Sequence, residues 1–426
     1  MMTDRTLSRL FLFLMILVMG ITACSSSDTT SGTGGPDAPA VDNEPPAAAE
    51  APQNVSVPEI EWFTPSEAIT THWRVLLDSE NPLVVAFEPY QAMVESDAAK
   101  VLFLYTRTHI DYDIAVGSAL TVLREQGLVV DAAVYLAEDE VAGFEALGYA
   151  EQNEFDLIFS VGSSTTTFLF ENYLGRPIPV VTLLSKDPVL LKQMPNYTDG
   201  SGSNMAFTSV GIPVELQMNY FQELVPNLTN IAIIYAQENS STVLTQVEPL
   251  DEHAAATGLN LVHVAIQNRD DPEQTRAEIE EKLPQAISAL YEADPEMRES
   301  IILVTSSGSI TKLFDTVNEF AGLVPVVSLF PDLVREGDSS AVLSVGVSFG
   351  SNSLQAGLYG ARILQGDILP GELPVGVITP PDIAISFAKA REIGLKIPFG
   401  FFESATFVYS PDGSLVREKG QVVNLP

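Results

Sequence analysis

From about residue 100 onward, short apolar runs alternate with longer stretches in which apolar residues recur at helical spacing. Continuous apolar runs separated in this way predict buried parallel strands joined by crossover helices. The first cycle reads VLFLY (101–105), a helix near 112–126 and a strand from Leu128 to Tyr135. A helix near 138–152, LIFSV (157–161), a helix from about 165 and PVVTLL (179–184) complete it. A second cycle keeps the order. It runs IAIIY (231–235), a helix near 242–257, a strand from Leu259 to Ile266, and a long acidic helix over about 272–292. IILVT (301–305), a helix from 309 and PVVSLF (325–330) close it.

The two cycles align with each other. Gly127-Leu128 matches Gly258-Leu259, Phe159 to Ser164 matches Val304 to Ser309, and Pro179-Val180-Val181 matches Pro325-Val326-Val327. The offset starts at 130 residues (231 against 101) and ends at 146 (325 against 179), the longer second helix region absorbing the growth. The predicted fold class is therefore α/β, with two doubly wound, Rossmann-like lobes. In such sheets ligands sit at the C-terminal ends of the strands. The Ser/Thr/Gly-rich turns found there open helices, whose first N–H groups suit an anionic partner. Two lobes facing each other would form a cleft; in two independent domains the same turns are simply good helix caps. Repetition alone leaves both arrangements open.

The amino terminus carries a different signal. Arg5 and Arg9 precede an apolar run from Leu10 to Ile21, a signal-peptide pattern shorter than the roughly 20 apolar residues that span a bilayer. The run ends in Ile21-Thr22-Ala23-Cys24, and Cys24 is the only cysteine. Small residues before a cysteine at this place resemble a bacterial lipobox, which implies removal of residues 1–23 and acylation of Cys24. An ordinary cleaved signal, or a short anchor with a chance cysteine, is the plain alternative. A single cysteine excludes an intrachain disulfide. The following stretch, SSSDTTSGTGGPDAPAVDNEPPAAAEAPQ, has almost nothing to bury and predicts a disordered tether over 24–57. Its r.m.s. span is roughly 30 Å, enough to hold a folded body clear of a membrane.

Composition narrows the function classes. The body after the tether, about 370 residues, exceeds the size at which one core usually divides. Fifty-six acidic residues against 21 basic ones give a net charge of −35. With bases so scarce, a nucleic-acid partner is excluded, since phosphate contacts need basic patches. The four histidines, His72, His109, His253 and His263, are spread along the chain without metal-ligand spacing. No HExxH, GxSxG, P-loop or complete dinucleotide fingerprint is present. No catalytic residue, metal or cofactor is predicted; His109, just past the first strand, could approach a cleft but reads rather as a satisfied surface histidine.

Three segments then carry a family resemblance. PVELQMNYFQELVPNLTNIAIIYAQENSSTVL (213–244), LVREGDSSAVLSVGVSFGSNSLQAGLYGARILQGDILPGELPV (333–375) and ISFAKAREIGLKIP (385–398) resemble, in order and spacing, stretches of bacterial ABC-transporter substrate-binding proteins. Asp187-Pro188 and Asn204 also fall where that family has an Asp-Pro and an Asn before its first crossing. The resemblance covers roughly 99–403. It implies a periplasmic-binding-protein type I fold, with two lobes joined by three crossing segments that close on a small molecule. Aromatic amino acids are proposed ligands in one branch. Lobe 1 is expected over 99–212 plus 350–373, and lobe 2 over 213–349 plus 374–403. Residues 58–98 stay unassigned, and 404–426 form an extension with a hairpin-like pattern around Pro411-Asp412-Gly413.

A ligand favours closure only by contacting both lobes, so candidates come in matched sets from the strand ends. Lobe 1 offers Thr106, Ser163, Ser164, Thr165 and Asp187, with Asn204 near the crossing. Lobe 2 offers Tyr235, Asn239, Ser306, Ser307, Ser348 and Phe349. The donors at 163–165 suit a carboxylate, Asp187 an ammonium, and Tyr235 or Phe349 an apolar side chain. Helix capping and core packing explain the same residue types equally well. The family often has an acid where Ser348 stands, which puts an amino-group contact there in doubt. The expectation is thus a monomeric, lipid-anchored, extracytoplasmic solute-binding protein that feeds an ABC permease and is not an enzyme. A binding lipoprotein serving a signalling receptor is the alternative. A two-lobed glycosyltransferase-like enzyme is a weaker rival, since the strand ends offer few bases for a nucleotide phosphate.

Overall fold

The computed structural model describes residues 57–79, 81–90, 98–267 and 271–423. The leader, Cys24 and the tether up to residue 56 fall outside the described residues.

The first cycle forms a seven-stranded sheet, in the order β1-β2-β4-β3-β5-β6-β7. Its strands are β1 (Trp73–Leu77), β2 (Val84–Pro89), β3 (Ala99–Tyr105), β4 (Val130–Leu136), β5 (Leu157–Val161), β6 (Val180–Leu183) and β7 (Met205–Ala206). From β4 to β7 every pairing is parallel. All five residues of β5 are buried, as a strand covered by helices on both faces requires. The helices are α1 (Glu67–His72), α2 (Ile110–Glu125), α3 (Glu140–Gln152) and α4 (Ser163–Asn172).

The segment that the sequence left unassigned builds α1 and an antiparallel ribbon, β1–β2, on the outer edge of β4. Phe63 and Ile69 are buried beside it, and the Trp73 indole N–H donates to the Val130 carbonyl at 3.1 Å. Asp113 on α2 accepts from the Thr64 amide at 3.0 Å and from the Tyr105 hydroxyl at 3.3 Å. This buried carboxylate fixes the added segment to lobe 1, and its burial pushes it up to about 6.

The second cycle forms a nine-stranded sheet, in the order β16-β15-β14-β13-β12-β11-β10-β8-β9. Its strands are β8 (Asn230–Ala236), β9 (Asn260–Ile266), β10 (Ser300–Val304), β11 (Val326–Ser328), β12 (Leu343–Gly346), β13 (Asp382–Ser386), β14 (Phe407–Tyr409), β15 (Leu415–Glu418) and β16 (Gln421–Val422). Pairing is parallel from β9 to β12 and antiparallel between β12 and β13. The hairpin read around Pro411-Asp412-Gly413 is β14–β15, and β14 also pairs in parallel with β13. The helices are α5 (Val214–Leu224), α6 (Ser240–Thr242), α7 (Glu248–Thr257), α8 (Pro272–Ala293), α9 (Gly308–Thr311) and α10 (Phe314–Ala321). A π-turn, Val243–Val247, joins α6 to α7.

The chain passes between the sheets three times. It leaves β7 for α5, returns from β12 into α11 (Phe349–Leu364), and leaves α11 for β13. The first and third passages lie side by side: Ser209 N–H donates to the Gly376 carbonyl at 3.0 Å, and Gly376 N–H to the Phe207 carbonyl at 2.8 Å. Although it follows a strand of the second sheet, α11 packs on α2 and β6 of the first. Its glycines allow that approach, since a Cβ on Gly357 would stand 2.7 Å from Val122.

Candidate functional site

The turns after the parallel strands of both sheets meet around one gap of about 650 Å³, a figure that includes its open mouth. Arg107 and His109 follow β3, Ser163 and Ser164 follow β5, and Leu184 and Lys186 follow β6. Opposite them stand Asn239 and Ser241 after β8, Ser306 and Gly308 after β10, and Phe330 and Leu333 after β11. Phe349 opens α11 at the same gap. The strand tips therefore face each other, and the arrangement of independent domains is excluded.

The lobes touch across the gap. The Lys186 ammonium donates to Ser241 Oγ at 3.0 Å and to Thr242 Oγ1 at 2.6 Å, while its backbone N–H donates to Ser163 Oγ at 3.0 Å. An added Cβ on Gly308 would stand only 3.6 Å from His109 Nε2.

One wall is ready for an acceptor-rich group. Gly162 turns β5 into α4 with φ 83°, and no side chain caps the helix that starts at Ser163. A side chain at 162 would be strained at that φ, and its Cβ would stand 2.3 Å from the Tyr112 hydroxyl. The other wall is apolar. The rings of Phe330 and Phe349 lie 5.1 Å apart, with Leu184, Leu333, Val210 and Tyr112 completing the surface.

The charges are local. In a chain of net charge −35, Arg107 and Lys186 both line the gap, with Asp111 on the same lining. His109 Nδ1 lies 3.3 Å from the Asp111 amide and 3.1 Å from its carboxylate. It accepts from the first when neutral and donates to the second when protonated. Asp332 accepts from the Phe349 N–H at 3.0 Å. Loss of hydration around its carboxyl pushes it up to about 7, with Asp111 and Asp382 nearby adding to the rise. The residue is itself exposed to solvent, which tempers that effect.

A family profile described as ABC transporter substrate binding protein matches residues 149–408. The chain belongs to that family. Three solved structures agree in fold. A conserved domain protein from Vibrio cholerae has 21% identity and a TM-score of 0.58, covering 73% of this chain and 100% of that one. A ligand-free, open substrate binding protein with adhesive properties from Clostridium difficile has 18% identity and a TM-score of 0.55, covering 72% and 98%. An ABC domain in complex with L-Trp from Streptococcus pneumoniae has 19% identity and a TM-score of 0.54, covering 72% and 99%. Comparison with curated protein sequences finds no match. The two lobes with their three crossings are thus the periplasmic-binding-protein type I fold.

In this ABC transporter substrate binding protein, five candidates from the sequence share the gap: Ser163, Ser164, Asn239, Ser306 and Phe349. The others are used elsewhere. Thr106 and Thr165 join their hydroxyls at 3.2 Å behind the lining. Asp187 accepts from the amides of Val189 and Leu190 and, at 2.6 Å, from the Tyr197 hydroxyl, so its carboxylate is committed to its own loop. Asn204 donates to the carbonyls of Tyr173 and Ile178 and accepts from Gly175 N–H, tying loops at the far end of the sheet. The Tyr235 ring meets His263 edge-on at 5.8 Å. Ser307 Oγ accepts from the Ala236 amide, and Ser348 Oγ caps α11 through Ser351 N–H.

Sequence reasoning missed Tyr112, Lys186, Phe330 and Leu333. Lys186 directly follows the β6 tip, and Phe330 ends the run read as a strand, so each carried a positional signal. Tyr112 carried none, because its place depends on Gly162. No helix among the described residues is long and apolar enough to cross a membrane. No group of three acidic, His or Cys side chains among them is placed to hold a metal ion.

Proposed function

We propose that the chain is the extracytoplasmic, lipid-anchored solute-capturing component of an ABC importer, holding a small molecule between its lobes without changing it chemically. The observation that carries this reading is the gap walled by both sheets, with Lys186 of one lobe bonded to Ser241 and Thr242 of the other. Lobe 1 then comprises 58–212 plus 350–373, and lobe 2 comprises 213–349 plus 374–423. Both extensions belong to sheets rather than to linkers. Acylation of Cys24 supplies the anchor, so Cys24→Ser releases the chain from membranes; unchanged membrane association contradicts lipidation.

Amino acids are the ligand class to test first, in keeping with the L-Trp held by the pneumococcal relative. A carboxylate meets the open start of α4 at Ser163 and Ser164, an ammonium meets Asp111, and a ring lies between Tyr112 and the Phe330–Phe349 pair. Asp187 has no part in it. Asn239 and Ser306 complete the polar side. A ligand at a hundredfold its Kd stabilises the closed form by about 2.7 kcal/mol. A thermal-shift screen over amino acids, sugars and nucleosides is the test. A shift from one class supports capture, and no shift from any contradicts it.

A further inference from the structure

The first turn of α11 is bonded to both lobes. Its opening amides go to lobe 2: Ser348 N–H donates to Asp382 and Phe349 N–H to Asp332, each at 3.0 Å. The next contact goes to lobe 1. Asn352 is fully buried, and its Oδ1 accepts from the Leu184 N–H at 2.8 Å. The Thr208 hydroxyl of the first passage, which donates to the Thr182 carbonyl at 2.7 Å, stands 3.5 Å from the same oxygen. Among the described residues, nothing pairs with the buried Asn352 Nδ2. A buried donor left unpaired is costly, and an apolar residue of the same size would fill the site without that cost. Packing therefore does not account for an asparagine at this place; what its oxygen holds does.

That oxygen holds an unusual stretch of backbone. Leu184 has φ 54°, a left-handed conformation that a leucine keeps only where its surroundings enforce it. The turn directly follows β6 and puts Leu184 into the lining of the gap. Two residues on, the Lys186 ammonium reaches Ser241 and Thr242 of the other lobe. Phe349, three residues before Asn352, lines the same gap.

We propose that Asn352 is a positioning residue for the gap: by holding the Leu184 turn it sets the apolar wall beside Phe349 and aims Lys186 at lobe 2. Asn352 is not part of the gap lining, so it acts through Leu184 and Lys186. The proposal deepens the capture reading and rests on it for its purpose. Its test adds no ligand, so its failure leaves capture to be decided by the thermal-shift screen.

The test is hydrogen exchange read by mass spectrometry on the full chain in detergent, comparing the wild type with Asn352→Leu. The expected result is at least about tenfold faster exchange at 184–187 and about threefold faster at 240–243 across the gap, with 157–161 in β5 unchanged. Adding Leu184→Gly to Asn352→Leu restores 240–243 to within about twofold of the wild type, because glycine keeps a positive φ without a clamp. Unchanged exchange at 184–187 overturns the proposal. So does faster exchange there with 240–243 as in the wild type, which confines the clamp to its own lobe. Equal acceleration at 157–161, or a double variant no better than the single one, gives Asn352 a merely structural role and overturns it too. Should Asn352→Leu not fold, Asn352→Ser, too short to reach the Leu184 amide, is measured with the same expectation. Loss of the fold in both variants overturns positioning in favour of a core role.

Discussion

The two halves of the chain answer the same structural demand differently. In lobe 1, β5 reaches α4 through one residue, Gly162 at φ 83°. In lobe 2, β10 reaches α9 through Thr305, Ser306 and Ser307, and needs no positive φ. The short turn leaves the start of a ten-residue helix uncapped and open to the gap. The long turn spends its hydroxyls internally. Thr305 Oγ1 donates to the Ile234 carbonyl at 2.9 Å, Ser307 Oγ accepts from Ala236 N–H, and Gln246 Nε2 donates to Ser306 Oγ at 2.6 Å. Neither α4 nor α9 starts with a side-chain cap, but α4 is the longer helix, and lobe 2 adds a braced turn and the aromatic pair. Equivalent positions in a duplicated fold share an address without sharing a task.

The largest way to break this contrast is Gly162→Ala. A methyl group at that φ, pressed on the Tyr112 hydroxyl, costs about 1–3 kcal/mol of stability. It also weakens ligand binding by at least about tenfold, because the turn that presents α4 shifts. Urea unfolding and calorimetry measure the two effects; wild-type values for both would show that the one-residue turn does not matter. Next in size is Lys186→Met, which removes the bonds to Ser241 and Thr242. The expected change is about tenfold weaker binding, with a larger radius of gyration of the unliganded protein in small-angle scattering. An unchanged radius would mean that the lobes close without this contact.

The smallest effect concerns pH. Asp113 stands at about 6 in the folded chain, above its value in the unfolded chain. Between those two values the folded state binds more protons, so stability falls as pH rises from about 4 to 6 and then levels off. Asp113→Asn flattens that slope. Melting temperatures at pH 4.5 and 7.5 measure it, and an unchanged slope would shift the cause to other groups.

The parallel strands were legible because burial on both faces makes them continuous apolar runs, as in LIFSV and IILVT. The edge ribbon was not. β1 is only five residues, WRVLL, and its run of Val75, Leu76 and Leu77 hides in the sequence the partial alternation of its burial, so no period of two shows there. In the tail the turn at Pro411-Asp412-Gly413 announced a hairpin, but the parallel pairing of β14 with β13 joins distant segments and leaves no local trace. At the site, hydroxyl-rich turns marked the strand tips, yet not which hydroxyls remain available. Asp187 looked like a salt-bridge partner until Tyr197, ten residues on, took its second oxygen. Lys186 stood beside it unread, because its partners lie in the other lobe.

Hydrogen exchange, with and without the ligand found by the thermal-shift screen, tests capture between the lobes most directly. The expected result is ligand-dependent protection in both walls at once, at 162–166 and 184–187 in lobe 1 and at 239–243 and 330–333 in lobe 2. Protection confined to one lobe, or to segments away from the strand tips, would contradict it.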